Sequence, residues 1–133
     1  MSKPVQSDKP EAQKAYRWEE GDLAVNMEIP AANLKSFPFI RLYQGWIPSR
    51  FSDIAARRFS FVHIDVDIYE PTRDSLEFFY DRMVPGGIIV CDDYGFITCP
   101  GAKQAFDEFA VNTPERNVIM LTTGQGILVK HPA

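Results

Sequence analysis

Two short runs of this chain place carboxylates where apolar stretches end. Phe59-Ser-Phe-Val-His-Ile-Asp65 closes on Asp65, and Ile88-Ile-Val-Cys-Asp-Asp93 closes on Asp92 and Asp93. Brought to one edge, three carboxylates repel one another, and a divalent cation resolves the repulsion. An all-oxygen set favours a hard ion, Mg²⁺ above others, with water or substrate oxygens completing its shell. The competing reading is structural, because an Asp at a strand end also caps the next helix or closes a turn. Asp67 stands open between joining the site and bonding backbone at a helix start. His63, inside the apolar run, is expected to be a packed residue rather than a ligand. Tyr69 and Tyr94 follow the two acidic ends and either line a substrate pocket or pack at its rim.

Such a site needs elements that bring the two acidic ends together. Phe59–Asp65 and Ile88–Cys91 read as strands, and their nearly continuous apolar composition predicts burial on both faces, as in a parallel sheet. Between them the pattern predicts a helix from Pro71 to about Met83, with Leu76, Phe79 and Met83 as its buried stripe. Pro85-Gly86-Gly87 is expected to stop it. Strands joined by a short helix usually pair at about 4.8 Å, which sets Asp65 beside Asp92 and Asp93. Open α/β sheets bind ligands at this carboxyl end.

A second helix is expected over about Gly101–Val111, with Ala102, Ala105, Phe106 and Phe109 on its apolar face. Asn117–Thr122 and Ile127–Lys130 then read as strands of an antiparallel hairpin across Thr123-Gly124-Gln125-Gly126. Upstream, residues 23–36 are expected to be helical after Pro30. Phe39–Tyr43 reads as a short strand broken by Gly45-Trp46-Ile47-Pro48. Residues 1–22, polar and with Pro4 and Pro10, read as a flexible arm. The alternation predicts an α/β domain over 23–133, with a mostly parallel sheet and right-handed crossovers.

Bulk properties narrow the function classes. A chain of 133 residues allows one domain. A net charge of -4 gives no electrostatic footprint for nucleic acid and no polybasic membrane patch. No apolar run approaches the ~20 residues of a membrane span, and Met1 to Ala15 lack a secretory signal's apolar segment. The two cysteines, Cys91 and Cys99, make no disulfide framework and are expected to be reduced thiols of a cytoplasmic protein.

The motifs themselves resemble a known family. His63-Ile-Asp-Val-Asp-Ile-Tyr-Glu-Pro-Thr72 is similar to a signature of the macrocin O-methyltransferases. So is Pro85-Gly-Gly-Ile-Ile-Val-Cys-Asp-Asp-Tyr-Gly95, followed by Cys99-Pro-Gly-Ala-Lys103 and Asp107-Glu-Phe109. Gly45-Trp46 and Thr123-Gly-Gln-Gly126 fit as well, so the resemblance runs over about residues 21–130. It implies a Rossmann-like methyltransferase fold and transfer of a methyl group from S-adenosylmethionine to a hydroxyl, often on a sugar of an antibiotic-type product. By motif, Asp65, Asp92 and Asp93 are the implied Mg²⁺ ligands. Asp65 is the implied general base and a cofactor contact, and Gly45 and Trp46 are implied to lie against the cofactor's adenine.

The chain resembles only the C-terminal half of that fold. The resemblance implies a Gly-rich cofactor loop after the first strand and an acidic ribose contact after the second, and neither is found. All eight glycines lie at or after Gly21. In the implied sheet order, 3-2-1-4-5-7-6, strands one and two are expected to be missing, which leaves Phe39–Tyr43 without its neighbour. The isolated chain is therefore expected to bind S-adenosylmethionine weakly or not at all, and its exposed strand edge favours association. A homodimer or a complementing N-terminal half are the expected partners, beside the small-molecule hydroxyl acceptor. The alternative is a non-catalytic methyltransferase remnant that folds or associates without chemistry. A phosphoacceptor receiver domain is disfavoured because the paired acids come late, and a nicotinamide dehydrogenase by the lack of G-x-G-x-x-G.

Overall fold

A computed structural model describes Glu19, Gly21, residues 24–114 and residues 117–132. The arm expected over 1–22 lies outside the described residues, apart from Glu19 and Gly21. The elements run α1 (Glu28–Asn33), a 3₁₀ turn (Phe51–Ile54), β1 (Phe59–Ile64), α2 (Tyr69–Tyr80), β2 (Met83–Cys91), α3 (Pro100–Val111), β3 (Ile119–Met120) and β4 (Gly126–Val129). The four strands form one sheet in the order β1-β2-β4-β3. β1 and β2 are parallel, and β4 returns antiparallel to both β2 and β3. This is the 4-5-7-6 end of the expected order. The parallel part of the expected sheet is here the single β1–β2 pairing.

Period-two alternation sorts the strand residues between two faces. Val62, Ile64, Ile89, Cys91 and Leu128 point to one side and are at most 7% exposed. Both long helices cover that side, α2 with Leu76 and Tyr80 and α3 with Ala102, Phe106 and Ala110. Burying a side chain such as Leu76 stabilises by roughly 2 kcal/mol. The other side carries a row of paired residues, Phe61 beside Ile88 beside Val129. These are 60%, 37% and 37% exposed. The burial on both faces expected from the apolar runs is thus a one-face burial, because α2 and α3 lie on the same side.

Several boundaries differ from the sequence reading. Helix α2 begins at Tyr69, two residues before Pro71, which occupies its first turn where a missing N–H costs nothing. It ends at Tyr80, so Met83 joins the core from β2 instead of from the helix stripe. Pro85-Gly86-Gly87 lies inside β2, where the β1–β2 register slips between Phe59↔Met83 and Phe61↔Ile88. Gly86 adopts φ +78°, a conformation open to glycine, and the irregularity absorbs the extra residues. The helix of the 23–36 segment starts at Glu28, two residues before Pro30.

Phe39–Tyr43 is not a strand. Ile40 N–H bonds back to Phe37 O, and the segment has no sheet partner among the described residues. An extended segment is held only by a neighbour that satisfies its N–H and C=O groups, and among the described residues β1 pairs with β2 alone. Phe39 is left 78% exposed. The chain continues past it into an aromatic corner, where Phe51 stacks on Phe78 at 4.4 Å and Phe59 meets Phe79 edge-on at 5.1 Å.

Candidate functional site

The parallel register pairs Ile64 with Cys91, so the next residues, Asp65 and Asp92, leave the sheet side by side. Asp92 N–H still donates to Ile64 O at 2.9 Å, which carries the ladder one step beyond the strands. The carboxylate oxygens of Asp65, Asp92 and Asp93 come within 4.8 Å of one another. The structure therefore brings together the three residues that the sequence nominated. No Lys or Arg among the described residues forms an ion pair with any of them.

Alternation continues past the strand ends and gives the three acids different surroundings. Asp93 turns to the helix-covered side and is 5% exposed. Its Oδ2 accepts the backbone N–H of Asp67 at 2.9 Å and of Val66 at 3.2 Å. Burial pushes its carboxyl up to about 6; Asp67 and Asp65 push the same way, and the two backbone donors oppose them. Asp92 turns to the bare side and is half-buried, while Asp65 is exposed at the rim.

Asp67 takes up φ +62°, which an Asp tolerates better than most residues. The turn aims its own N–H at Asp93 and its Oδ1 accepts from Cys99, so Asp67 sits with the acid cluster, and no bond from its carboxylate to the backbone at the start of α2 is found among the described residues. Its carboxyl is nonetheless raised, by burial first and then by Asp65. Asp67, Asp93 and Cys99 form a second close group. Burial pushes the Cys99 thiol up to about 12, so it stays protonated and donates to Asp67 Oδ1 at 3.7 Å. Cys91 and Cys99 are both free and buried.

Two residues at the site were not recognised in the sequence. His63, expected to be packed, is exposed, and its Nε2 lies 3.2 Å from Asp92 Oδ1. Strand parity was the available signal, since Val62 and Ile64 face the helices and His63 must face away. Gln125, given no role, donates from Nε2 to the same Oδ1 at 3.1 Å. Its signal was topological: an antiparallel return beside β2 sets the β3–β4 turn at the carboxyl end of β2.

Tyr69 packs half-buried against α3, and Tyr94 is buried in the core. Tyr69 OH donates to Glu108 Oε2 at 2.6 Å and Tyr94 OH to Asp107 Oδ1 at 2.5 Å, both on α3. The bond to Glu108 raises the Tyr69 phenol, and burial raises that of Tyr94. Gly45 and Trp46 lie in the loop between α1 and the 3₁₀ turn, with Trp46 52% exposed. No described helix is long and apolar enough to cross a membrane.

The chain is similar to several known proteins. The chain is 28% identical over 118 residues to a tetracenomycin rhamnosyl 4'-O-methyltransferase of Streptomyces olivaceus, covering 85% of this chain and 44% of that one. It is 30% identical over 91 residues to demethyldecarbamoylnovobiocin O-methyltransferase of Streptomyces niveus, covering 65% of this chain and 34% of that one. The chain thus spans less than half the length of these relatives. Among solved structures it overlays the O-methyltransferase NovP with a TM-score of 0.64 at 24% identity, over 83% of this chain and 47% of that one. A putative caffeoyl-CoA O-methyltransferase from Staphylococcus aureus overlays with a TM-score of 0.63 at 15% identity, over 77% of this chain and 58% of that one. These likenesses support the fold, a partial Rossmann-like methyltransferase sheet. The macrocin O-methyltransferase (TylF) family profile matches residues 1–120, and the chain belongs to that family.

Proposed function

We propose that this chain carries the cation-binding and acceptor-activating part of an O-methyltransferase. The methyl donor is S-adenosylmethionine and the acceptor a hydroxyl of a sugar or a similar natural product. The observation that carries the reading is the convergence of Asp65, Asp92 and Asp93 with no Lys or Arg of the described residues to balance them. The donor set fits Mg²⁺, being hard oxygen throughout. The raised carboxyl of Asp93 is the repulsion and burial that a divalent ion would relieve. Bound there, Mg²⁺ would lower the pKa of an acceptor hydroxyl and orient it.

The protein's own contribution is placement. Asp93 is held by two backbone N–H groups, and Asp92 by side chains on its bare side. Asp65 is the exposed member and the one free to accept a proton from the acceptor as general base. Gly45 and Trp46 are the candidates for the adenine, since an indole face half open to solvent can stack on a base. The residues described do not make a full cofactor pocket, because no strand, Gly-rich turn and helix follow one another among them. Completion by a complementing N-terminal half, or by a second copy, is supported by the edge of β1, which no described strand pairs, and by the bare sheet face.

Calorimetric titration with Mg²⁺, then with S-adenosylhomocysteine, tests the reading. Micromolar binding of both supports an enzyme site that works in this chain or its dimer. Mg²⁺ binding that Asp92→Ala abolishes, without S-adenosylhomocysteine binding, supports a metal site on part of an enzyme. Loss of both overturns the proposal in favour of a non-catalytic remnant.

A further inference from the structure

We infer that Gln125 is a positioning residue for the cation site, and that the β3–β4 turn is thereby part of that site. The inference rests on the metal reading above. Asp92 Oδ1 receives Gln125 Nε2 at 3.1 Å and faces His63 Nε2 at 3.2 Å. No described residue donates to Oδ2. Both contacts therefore fall on one oxygen and leave the other for a cation. The two are not equivalent. An imidazole nitrogen donates or accepts according to its tautomer, whereas an amide NH₂ only donates and does not titrate.

The Gln125 amide is restrained at both ends. The Asp92 carboxylate only accepts, so the NH₂ group must face it, and Thr123 Oγ1 donates to Oε1 at the amide's other end. The turn that carries both residues is fixed in turn. Leu121 N–H bonds Gln125 O at 2.8 Å, and Gly124 closes the turn at φ +100°. Gly95 N–H donates to Gly124 O at 2.6 Å, two residues beyond Asp93. A Cβ at Gly95 would stand 2.8 Å from that oxygen, so glycine lets the backbones approach. A chain of contacts thus runs from Gly95 through Gly124, Thr123 and Gln125 to Asp92. Outer contacts of this kind set the orientation of metal-binding carboxylates, and their loss typically weakens metal binding by about 10–100-fold.

Mn²⁺ is the probe, with affinity read from the free-ion paramagnetic resonance signal. The stability of the metal-free chain is read separately by thermal melting. Gln125→Leu is expected to weaken Mn²⁺ binding by about tenfold or more at an unchanged metal-free melting temperature. Thr123→Val, which removes the restraint on Oε1 but keeps the amide, is expected to weaken binding by a smaller factor in the same direction. Affinities of both variants within about twofold of the wild type overturn the inference. So does an affinity loss confined to a variant whose metal-free chain also melts lower, because that is a structural role. A wild-type chain that binds no Mn²⁺ overturns the metal reading itself, and the inference with it.

Discussion

The two faces of the sheet are built from the same residue types and end in opposite states. On the helix side, Val62, Ile89 and Leu128 are 7%, 0% and 1% exposed. On the other side Phe61, Ile88 and Val129, their immediate neighbours along the strands, stand 60%, 37% and 37% exposed. Composition therefore does not decide which face is the core. What decides it is that α2 and α3 both return to one side and pack against each other there. The same contrast divides the carboxylates at the sheet's edge. Asp93 is enclosed on the covered side, while Asp92 stands on the bare side with His63 and Gln125.

The comparison is sharpened most strongly by truncating the covered face. Leu76 is fully buried between α2, α3 and the sheet. Leu76→Ala is expected to cost about 2–5 kcal/mol, through lost burial and the cavity left behind. Urea titration followed by circular dichroism reads it. A cost below about 1 kcal/mol would mean that the covered face is no tighter than the bare one.

Asp93 gives a smaller effect with a distinctive pH signature. Its carboxyl stands at about 6 in the folded chain, against an ordinary value of 3.8. A raised carboxyl contributes stability that is complete below the unfolded value and is lost as pH rises through the folded one. The metal-free chain should therefore lose up to about 3 kcal/mol between roughly pH 4 and pH 7 on account of Asp93. Asp93→Asn keeps an acceptor for the N–H groups of Val66 and Asp67 and removes the charge. It is expected to stabilise the metal-free chain at pH 7 by about 1–3 kcal/mol and to flatten the acid-side profile. The same substitution should abolish Mg²⁺ binding. Mg²⁺ added to the wild type should recover much of the loss, because the ion binds only the charged carboxylate. Equal stability of variant and wild type at pH 7 would show that Asp93 is already balanced without an ion.

Much of this arrangement was legible in the sequence, and its failures share a physical cause. The two strands, the helix between them and the hairpin come from local signals: apolar runs, Pro at helix starts and a Gly-rich turn. Those signals also placed Asp65, Asp92 and Asp93 together, because a parallel register carries the ends of adjacent strands to one edge. Long-range partners were not legible. Phe39–Tyr43 has strand-like residues, but a strand exists only beside a neighbour, and none of the described strands is next to it. His63 was read from its apolar neighbours when its parity relative to Val62 and Ile64 was the better guide. Gln125 lies over 30 positions from Asp92, and only the antiparallel return of β4 brings it there. The Pro85-Gly86-Gly87 run was read as a stop because its glycines suit turns. Inside the sheet they serve a register slip instead.

The bare face gives the smallest effect on stability and tests what the face is for. Phe61 is 60% exposed, so Phe61→Thr removes little buried area and keeps a residue suited to strands. Its expected cost is within about 0.5 kcal/mol, against several for Leu76→Ala. Its expected effect on association is larger. An apolar row beside an edge of β1 that no described strand pairs has the character of an association surface. Sedimentation velocity over a concentration series should show the wild type shifting to larger species and the Thr variant remaining smaller. A wild type that stays monomeric throughout would mean the bare face does not associate with copies of this chain. The complementing N-terminal half would then be the occupant to test, by adding it in trans and measuring S-adenosylhomocysteine binding. If Phe61→Thr instead destabilises the monomer as much as Leu76→Ala, the two faces are not different, and the contrast drawn from their exposure fails.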